Sequence, residues 1–110
     1  MVKLTQKNEQ EIERLRGLFL SEIEVVVQRS EDGGFFAKIL TLEGLFTEAE
    51  TFSELIEMVN DAVMTYFEVP RQYVSYMPSY VPSLKVAQEF GVFPAFPQKK
   101  EITLPLAVNM

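Results

Sequence analysis

The sequence contains no cysteine and no histidine. Without cysteine there is no disulfide, no thiolate zinc site and no cysteine nucleophile. Without histidine the chain lacks the commonest general base and the commonest ligand of transition metals. A hydrolase made from this chain would have to use carboxylates, alone or with a hard cation such as Mg²⁺. We therefore predict a protein with neither a cofactor nor a metal.

Long apolar runs are missing as well. No stretch approaches the ~20 residues that a membrane-spanning helix requires. Glu9, Glu11 and Glu13 interrupt the N-terminal segment, which has no apolar run of the kind found in signal peptides. We expect a cytoplasmic protein that has no membrane partner.

The length and the apolar content fit one small domain. The chain has 110 residues, of which 47% are hydrophobic, and a domain takes about 100–200 residues. Because small domains bury a smaller fraction of their surface, we expect the protein to form a homodimer or a larger homo-oligomer.

The net charge of −6 is unevenly distributed along the chain. Residues 1–21 carry a net charge of +1, residues 22–68 a net charge of −9 and residues 69–110 a net charge of +2. Nucleic-acid binders need lysine and arginine to displace the counterions of the phosphate backbone. An acidic middle segment instead favours a basic protein partner through charge complementarity.

Residues 1–21 predict a helical arm, with the helix over 6–20. Ile12, Leu15 and Phe19 recur on one face of a 3.6-residue period, and the rest of the helix is mostly charged. We interpret this arm as a cover for its own domain or for a neighbouring subunit.

Residues 22–69 predict the core domain. Residues 22–29 alternate apolar and polar side chains, as a half-buried strand does. The acidic-Gly-Gly turn at 31–34 and the apolar run at 35–40 complete an antiparallel hairpin. A loop with Gly44 then leads to a third short strand at 45–50.

An amphipathic helix is predicted over 52–68. Thr51 and Glu54 have the spacing of a capping box, and Pro70 marks the end of the helix. Its polar side carries Glu54, Glu57 and Asp61, which form a candidate acidic face at i, i+3 and i+7.

Residues 70–110 form a tail that is rich in proline and tyrosine. We predict an extended or irregular stretch over 73–82, a short helix over 83–90 and a final strand over 101–108. Pro105 restricts that strand to an edge or to pairing on one side. The tail either binds a partner or another subunit, or folds back on its own domain. The candidate interface residues are Tyr73, Tyr76, Tyr80, Phe90, Phe93, Phe96, Ile102, Leu104 and Leu106.

The order and spacing of these features resemble the HicB family of antitoxin-like proteins. The features are the acidic-Gly-Gly turn with the aromatic residues after it, the Leu-x-Gly loop at 42–44, and the Thr-initiated helix that later carries Asn60, Asp61 and Tyr66. The resemblance covers roughly 45 residues, and its basis is the spacing of a hairpin followed by a capped helix.

The resemblance implies an α+β fold of the partial RNase H-like type, in the order β-β-β-α-β. A three-stranded antiparallel sheet would carry one packed helix, with the N-terminal helix and a C-terminal edge strand added. It also implies a solitary HicB-like protein or the antitoxin of a small, basic HicA-type ribonuclease, which the antitoxin covers and blocks.

Two other functions remain open at this stage. Carboxylates could serve a metal-dependent nuclease, but two-metal nucleases need them to converge on ions about 4 Å apart, and the helix acids are predicted to face water. The tyrosines of the tail could stack on nucleic acid, but such platforms need a basic groove. The segment 101–108 resembles the first strand of a ribbon-helix-helix, yet no helices follow it, so nucleic-acid binding is not expected. We therefore predict that the protein is not an enzyme. The carboxylates considered are Glu22, Glu24, Asp32, Glu48, Glu50, Glu54, Glu57 and Asp61.

Overall fold

A computed structural model describes residues 5–30, 32–91 and 99–107, with the side chains of 89–91, 99 and 100 left aside. In chain order the elements are α1 (Gln6–Arg16), β1 (Glu22–Arg29), β2 (Phe35–Ile39), β3 (Leu45–Ala49), α2 (Phe52–Tyr66), a 3₁₀ helix (Arg71–Tyr76), β4 (Ser79–Tyr80), α3 (Leu84–Gly91) and β5 (Lys99–Ala107). In these ranges, no helix has both the length and the apolar character needed to cross a bilayer.

The strands form one antiparallel sheet in the order β3-β2-β1-β5-β4. The predicted α+β class is therefore confirmed. In the hairpin, Val27 lies opposite Ala37, which in turn lies opposite Thr47. Gly33 and Gly44 have φ angles of 94° and 79° in the two loops, a region that glycine enters without steric cost.

The sequence predicted that the final strand would lie at an edge of the sheet, and this prediction is wrong. β5 pairs with β1 along most of its length and lies between β1 and β4. The Pro105 carbonyl accepts a hydrogen bond of 3.1 Å from the Val81 N–H, whereas the Leu106 N–H donates to Ser21 O at 2.9 Å, on the β1 side. Since a residue in a strand points its N and O to the same side, the missing donor of Pro105 faces β4 and leaves the β1 pairing intact.

Helix α2 lies across one face of the sheet, over β3 and β2. We call this the inner face. Alternation along β1, β2 and β5 brings the buried apolar residues of these strands to this face. The arm and the tail add to the same core, and Phe19 joins them by ring contacts with Phe67 at 5.2 Å and with Tyr80 at 6.3 Å. The largest fully buried side chains are Leu15, Ile23, Val25, Val27, Ile39, Leu55, Val59, Val63, Tyr80 and Leu104.

The helix starts follow local capping chemistry. Thr51 Oγ1 accepts a hydrogen bond from the Glu54 N–H at 3.1 Å. The return bond from the Glu54 side chain does not form among the described residues, so half of the predicted capping box is present. Helix α1 has a complete capping box, made by Thr5 and Asn8. It ends at Arg16, one turn earlier than predicted, with Gly17 as its cap.

Helix α2 ends at Tyr66, ahead of the proline that was predicted to stop it. The Glu68 N–H donates to Thr65 O and the Val69 N–H donates to Met64 O, both at 3.0 Å. These two bonds form the Schellman arrangement of a helix C-terminus. This arrangement usually has glycine at the position after the helix cap. Here Glu68 occupies that position, with a φ angle of 54°.

The tail contains more regular structure than the sequence predicted. The stretch predicted to be extended or irregular holds the 3₁₀ helix and the short strand β4. The Tyr73 N–H donates to Pro70 O at 2.9 Å, which starts the 3₁₀ turn directly after the proline. The short helix after it is confirmed as α3, and Ser83 Oγ accepts from the Val86 N–H at 3.2 Å.

Candidate functional site

The structure places most of the described candidate residues of the tail inside their own domain. Tyr80 and Leu104 are 0% exposed, and Ile102 is 4% exposed. Tyr73 is also buried, whereas Tyr76 is exposed and Leu106 is partly buried. Tyr73, Tyr80, Ile102 and Leu104 therefore fill the core of their own domain, as in the alternative in which the tail folds back. The ring of Phe90 and all of Phe93 and Phe96 lie outside the described residues.

The hydroxyl groups of the two buried tyrosines form hydrogen bonds within the chain. The Tyr80 hydroxyl donates to Leu20 O at 2.7 Å, and the Tyr73 hydroxyl accepts from Asn8 Nδ2 at 2.7 Å. Burial raises the pKa of Tyr80 above its ordinary value. Both bonds attach the tail to the N-terminal arm, so this part of the tail folds back on its own domain.

The predicted acidic face of α2 is exposed. Glu54, Glu57 and Asp61 all point away from the buried row of the helix, and none of them forms a salt bridge with a described residue. Within the described ranges, no three acidic side chains are grouped closely enough to hold a metal ion. The structure thus brings the three carboxylates to one surface but not to a common point.

The sheet face opposite α2, which we call the outer face, is open to solvent across three cross-strand rows. In the first row Phe46 lies beside Lys38, which lies beside Val26 and then Glu101. The other two rows follow on either side. One contains Glu48, Phe36, Gln28 and the register position of Lys99, and the other contains Leu40, Glu24 and Thr103.

Four apolar side chains on the outer face surround Lys38. Phe46 is 66% exposed, Leu40 42% and Phe36 41%, and Val26 is half-buried between them. We call these four residues the apolar patch. Together with Lys38 they line a shallow groove of about 390 Å³. The Lys38 ammonium lies 5.7 Å from the centre of the Phe46 ring, within the range of a cation–π contact. Contiguous exposed apolar groups of this kind mark interaction sites on soluble proteins.

Carboxylates surround the apolar patch. Both oxygens of Glu24 lie 3.0 Å from the Thr103 hydroxyl, which holds this carboxylate against the sheet. Among the described outer-face side chains, four are carboxylates and one is an ammonium group. The described side chains of the outer face therefore form an apolar surface with an acidic border. Its carboxylates are those of Glu22, Glu24, Glu48 and Glu101.

The acidic border continues around the end of the hairpin. Asp32 Oδ1 accepts hydrogen bonds from Ser30 Oγ and, at 3.1 Å, from the Gly34 N–H. These two bonds hold the pKa of Asp32 below its usual value. Glu48 and Glu50 lie along the same open depression of about 570 Å³. The depression is larger than the groove of the apolar patch, but it is polar and shallow, so it extends the border and is not a separate pocket.

Two curated proteins are similar to this chain. A UPF0150 protein of Archaeoglobus fulgidus is 36% identical over 47 residues, which cover 43% of this chain and 68% of the relative. The chain belongs to the UPF0150 family. A second UPF0150 protein, from Thermotoga maritima, is 40% identical over 47 residues, which cover 43% of this chain and 66% of the relative. No family model matches this UPF0150 chain, and no solved structure matches it.

The sequence did not single out the apolar patch of this UPF0150 protein. A signal was nevertheless present, since residues 35–40 are apolar at five of six positions and not only at alternate ones. A strand with apolar residues on both faces is covered on both sides or carries an exposed patch. Because the structure leaves Phe36 and Leu40 exposed, the second outcome applies here.

Proposed function

We propose that this UPF0150 protein is a HicB-like interaction module that binds and masks a basic protein partner through its outer face. It acts by occlusion and performs no chemistry. The observation that carries this proposal is the apolar patch with its acidic border, on a sheet whose other face is closed by α2.

The apolar patch supplies the energy of binding in this proposal. Fully burying one large apolar side chain stabilises a complex by about 1.5–3 kcal/mol. Phe46 has the most to gain, because two thirds of its surface is in water. Aromatic anchors of this kind, placed at the centre of an interface, contribute most of the binding energy in protein complexes.

The acidic border supplies the choice of partner. Glu24, Glu48 and Glu101 surround the patch, so a partner with lysine or arginine around an apolar centre would complement it. The one ammonium group described on the outer face, that of Lys38, lies against the Phe46 ring. Long-range attraction between such surfaces raises the association rate and weakens with salt.

A HicA-type ribonuclease is the partner that fits both this surface and the sequence resemblance. A protein that binds RNA presents basic side chains to the phosphate backbone. An acidic, apolar surface can occupy those same side chains and so compete with the RNA. The chain also carries the strand–turn–strand–strand–helix order that the HicB resemblance implies.

The test is recovery of the tagged protein from its native cells, with the mass and charge of each co-purifying protein determined. We expect a small basic protein in a fixed ratio, released by high salt. Phe46→Ser and Leu40→Ser should each weaken its binding by about tenfold. Leu18→Ser is the matched control, since Leu18 is 40% exposed, close to the 42% of Leu40, but is not part of the outer face.

Two results would contradict the proposal. Equal binding by the Phe46→Ser and Leu18→Ser variants would remove the apolar patch from the interface. Recovery of the protein alone, as a homo-oligomer that Phe46→Ser dissociates, would assign the patch to a second copy of the chain and not to a basic partner.

A further inference from the structure

The two edges of the sheet are finished in different ways. At the β4 edge, the side-chain amide of Asn60 binds the main chain of Tyr80. The Tyr80 N–H donates to Asn60 Oδ1 at 2.6 Å, and Asn60 Nδ2 donates to Tyr80 O at 2.8 Å. The amide thus takes the place of a further strand at this edge. The opposite edge is β3.

The hydrogen bonds of β2 determine which groups β3 leaves unpaired. The Leu40 N–H donates to Glu24 O at 2.8 Å, so Leu40 points its main-chain groups towards β1. Alternate residues of a strand point their main-chain groups to opposite sides. Ala37 is three residues from Leu40, so its main-chain groups point towards β3. The main-chain groups of its partner Thr47 point back towards Ala37.

Phe46 and Glu48 consequently point their N–H and C=O groups away from the sheet. No described residue donates to or accepts from the main chain of either residue. The two residues are separated by one position, or about 6.8 Å along the strand, which is the repeat at which an added strand forms its hydrogen bonds. Four main-chain groups at this edge are thus in register for one more strand.

We propose that the β3 edge accepts an extended basic segment of the partner protein as a sixth, antiparallel strand. This inference rests on the proposed function and specifies how the partner binds. The segment pairs with the main chain of Phe46 and Glu48. It places lysine or arginine side chains beside Phe46 and Glu48 on the outer face, with an aliphatic stem over the Phe46 ring and a charge beside the Glu48 carboxylate.

The charge of the edge favours a basic segment over a second copy of this chain. Residues 43–50 contain Glu43, Glu48 and Glu50 and no basic residue. Pairing two β3 edges would bring both sets of carboxylates together along one seam. Like charges across neighbouring strands destabilise the pairing, whereas lysine or arginine beside Glu48 stabilises it.

The added strand would also be continuous with the apolar patch. Phe46 belongs to the patch and to the edge, so one segment can bury its ring and pair with its main chain. On the inner face, Leu45 and Ala49 are only partly buried beneath α2. The intervening residue of the segment, opposite Thr47, would therefore face this partly covered apolar margin.

The first experiment measures amide hydrogen exchange in the full chain, with and without a blocked nine-residue peptide of alternating lysine and valine. We expect the peptide to slow exchange at Phe46 and Glu48 by about tenfold or more. Thr47 and Ala49 should be unchanged, since their amides already face β2. No binding at low salt, or binding without this alternating pattern of protection, would overturn the proposal.

Two peptide variants test the main-chain pairing without changing any side chain. The lysines lie opposite Phe46 and Glu48, so their N–H groups face β3. Methylating the main-chain nitrogens of the lysines should therefore abolish binding. Methylating the main-chain nitrogens of the valines should leave binding unchanged. Equal loss from both peptides would show that the segment does not add as a strand.

Variants of Glu48 separate the main chain from the charge. Glu48→Pro removes an N–H that faces away from β2, a position where an edge strand tolerates proline. Glu48→Gln removes only the charge. We expect Glu48→Pro to weaken peptide binding by about tenfold or more and Glu48→Gln by roughly threefold. Equal effects would reduce the edge to an electrostatic contact and overturn the pairing.

These results are distinguishable from failure of the proposed function. If a native basic partner binds through the apolar patch but leaves Phe46 and Glu48 unprotected, only the strand pairing fails. If the peptide protects both amides and the cells yield no basic partner, the proposed function fails and the edge site remains.

Discussion

The side-chain amide of Asn60 binds both main-chain groups of Tyr80, in the way that a neighbouring strand would. Asn60 Nδ2 also donates to Ile56 O at 2.9 Å, one turn back in its own helix. Glutamine would be too long for this geometry and aspartate would lack the donor. One residue on α2 therefore determines where the sheet stops, and Tyr80 is held between that residue and β5.

Asn60→Ala should lower the free energy of unfolding by about 2 kcal/mol, because the Tyr80 N–H and C=O lose their partners in a half-buried site. Asn60→Asp should cost more at neutral pH, since its carboxylate would face the carbonyl oxygens of Ile56 and Tyr80. Urea unfolding measures both. A protonated carboxyl group can donate to a carbonyl, so the penalty of Asn60→Asp should shrink as the pH falls through its titration range.

Asp61→Asn is the matched control for these variants. Asp61 is the next residue on α2 and is exposed, so the exchange of a carboxylate for an amide there should change stability by less than about 0.5 kcal/mol. A loss at Asp61 as large as that at Asn60 would mean that the bond to Tyr80 is not the cause.

Tyr80→Phe should alter how stability depends on alkaline pH. Burial raises the pKa of Tyr80 in the folded protein above the ordinary value of about 10. A group whose pKa is higher in the folded than in the unfolded state contributes fully to the free energy of unfolding at pH values below its unfolded pKa. This contribution to stability is lost as the pH rises through the folded pKa. The wild-type advantage over Tyr80→Phe should therefore be constant below about pH 10 and shrink above it.

Urea unfolding from neutral to alkaline pH checks this prediction. Below pH 10 the Tyr80→Phe variant should be less stable by about 1–2 kcal/mol, because Leu20 O loses its donor. Tyr76→Phe removes a hydroxyl from a ring that is 39% exposed and should leave stability unchanged. A difference between wild type and Tyr80→Phe that stays constant to high pH would contradict the assignment.

Glu68→Gly should stabilise the protein. Glu68 has a φ angle of 54° at the end of α2, and the left-handed conformation costs a residue with a Cβ about 1–2 kcal/mol. Glycine avoids that cost but loses about 0.5–1 kcal/mol through its larger unfolded-state entropy. A net gain of up to about 1 kcal/mol should appear in thermal unfolding. Glu68→Ala keeps the Cβ and should show no gain, and an equal gain from alanine would point to the charge instead.

Leu104→Ala should lower stability, whereas Phe46→Ser should leave it nearly unchanged. Leu104 is 0% exposed, so its truncation should cost about 2–5 kcal/mol. Phe46→Ser should change stability by less than about 0.5 kcal/mol, because the ring is exposed.

Unfolding at two protein concentrations checks whether β5 pairs within its own subunit. A Leu104→Ala loss that grows on dilution would indicate that β5 pairs with a neighbouring subunit.

The parts of the fold that depend on local sequence were predictable. The hairpin and α2 follow from alternation, from the turn at 31–34 and from Thr51, all of which act over a few residues. The place of β5 beside β1 was not predictable, because two strands far apart in the chain carry no local signal of their pairing. Pro105 suggested an edge, and only its observed hydrogen bonds show that its missing N–H faces β4.

The candidate site was harder to predict than the fold. The tail residues were chosen because they are apolar and aromatic, but that property suits a core as well as an interface. Tyr80 is buried because its ring meets Phe19 and its hydroxyl meets Leu20 O, contacts that depend on where the arm lies. The sequence did not predict Phe46 as a site residue, because a single aromatic residue in a short strand is common. Its exposure is evident only in the folded sheet, where no described residue covers it.

The position of β5 has a consequence for synthesis on the ribosome. β2 and β3 pair with neighbours that are made just before them, so the strands β1 to β3 can associate early. β1 must keep its second side unpaired until residues 99–107 have been made, because that side belongs to β5. Such long-range pairing slows folding, and an unpaired strand in a nascent chain is prone to aggregate. The growing chain therefore depends on its last described strand for protection.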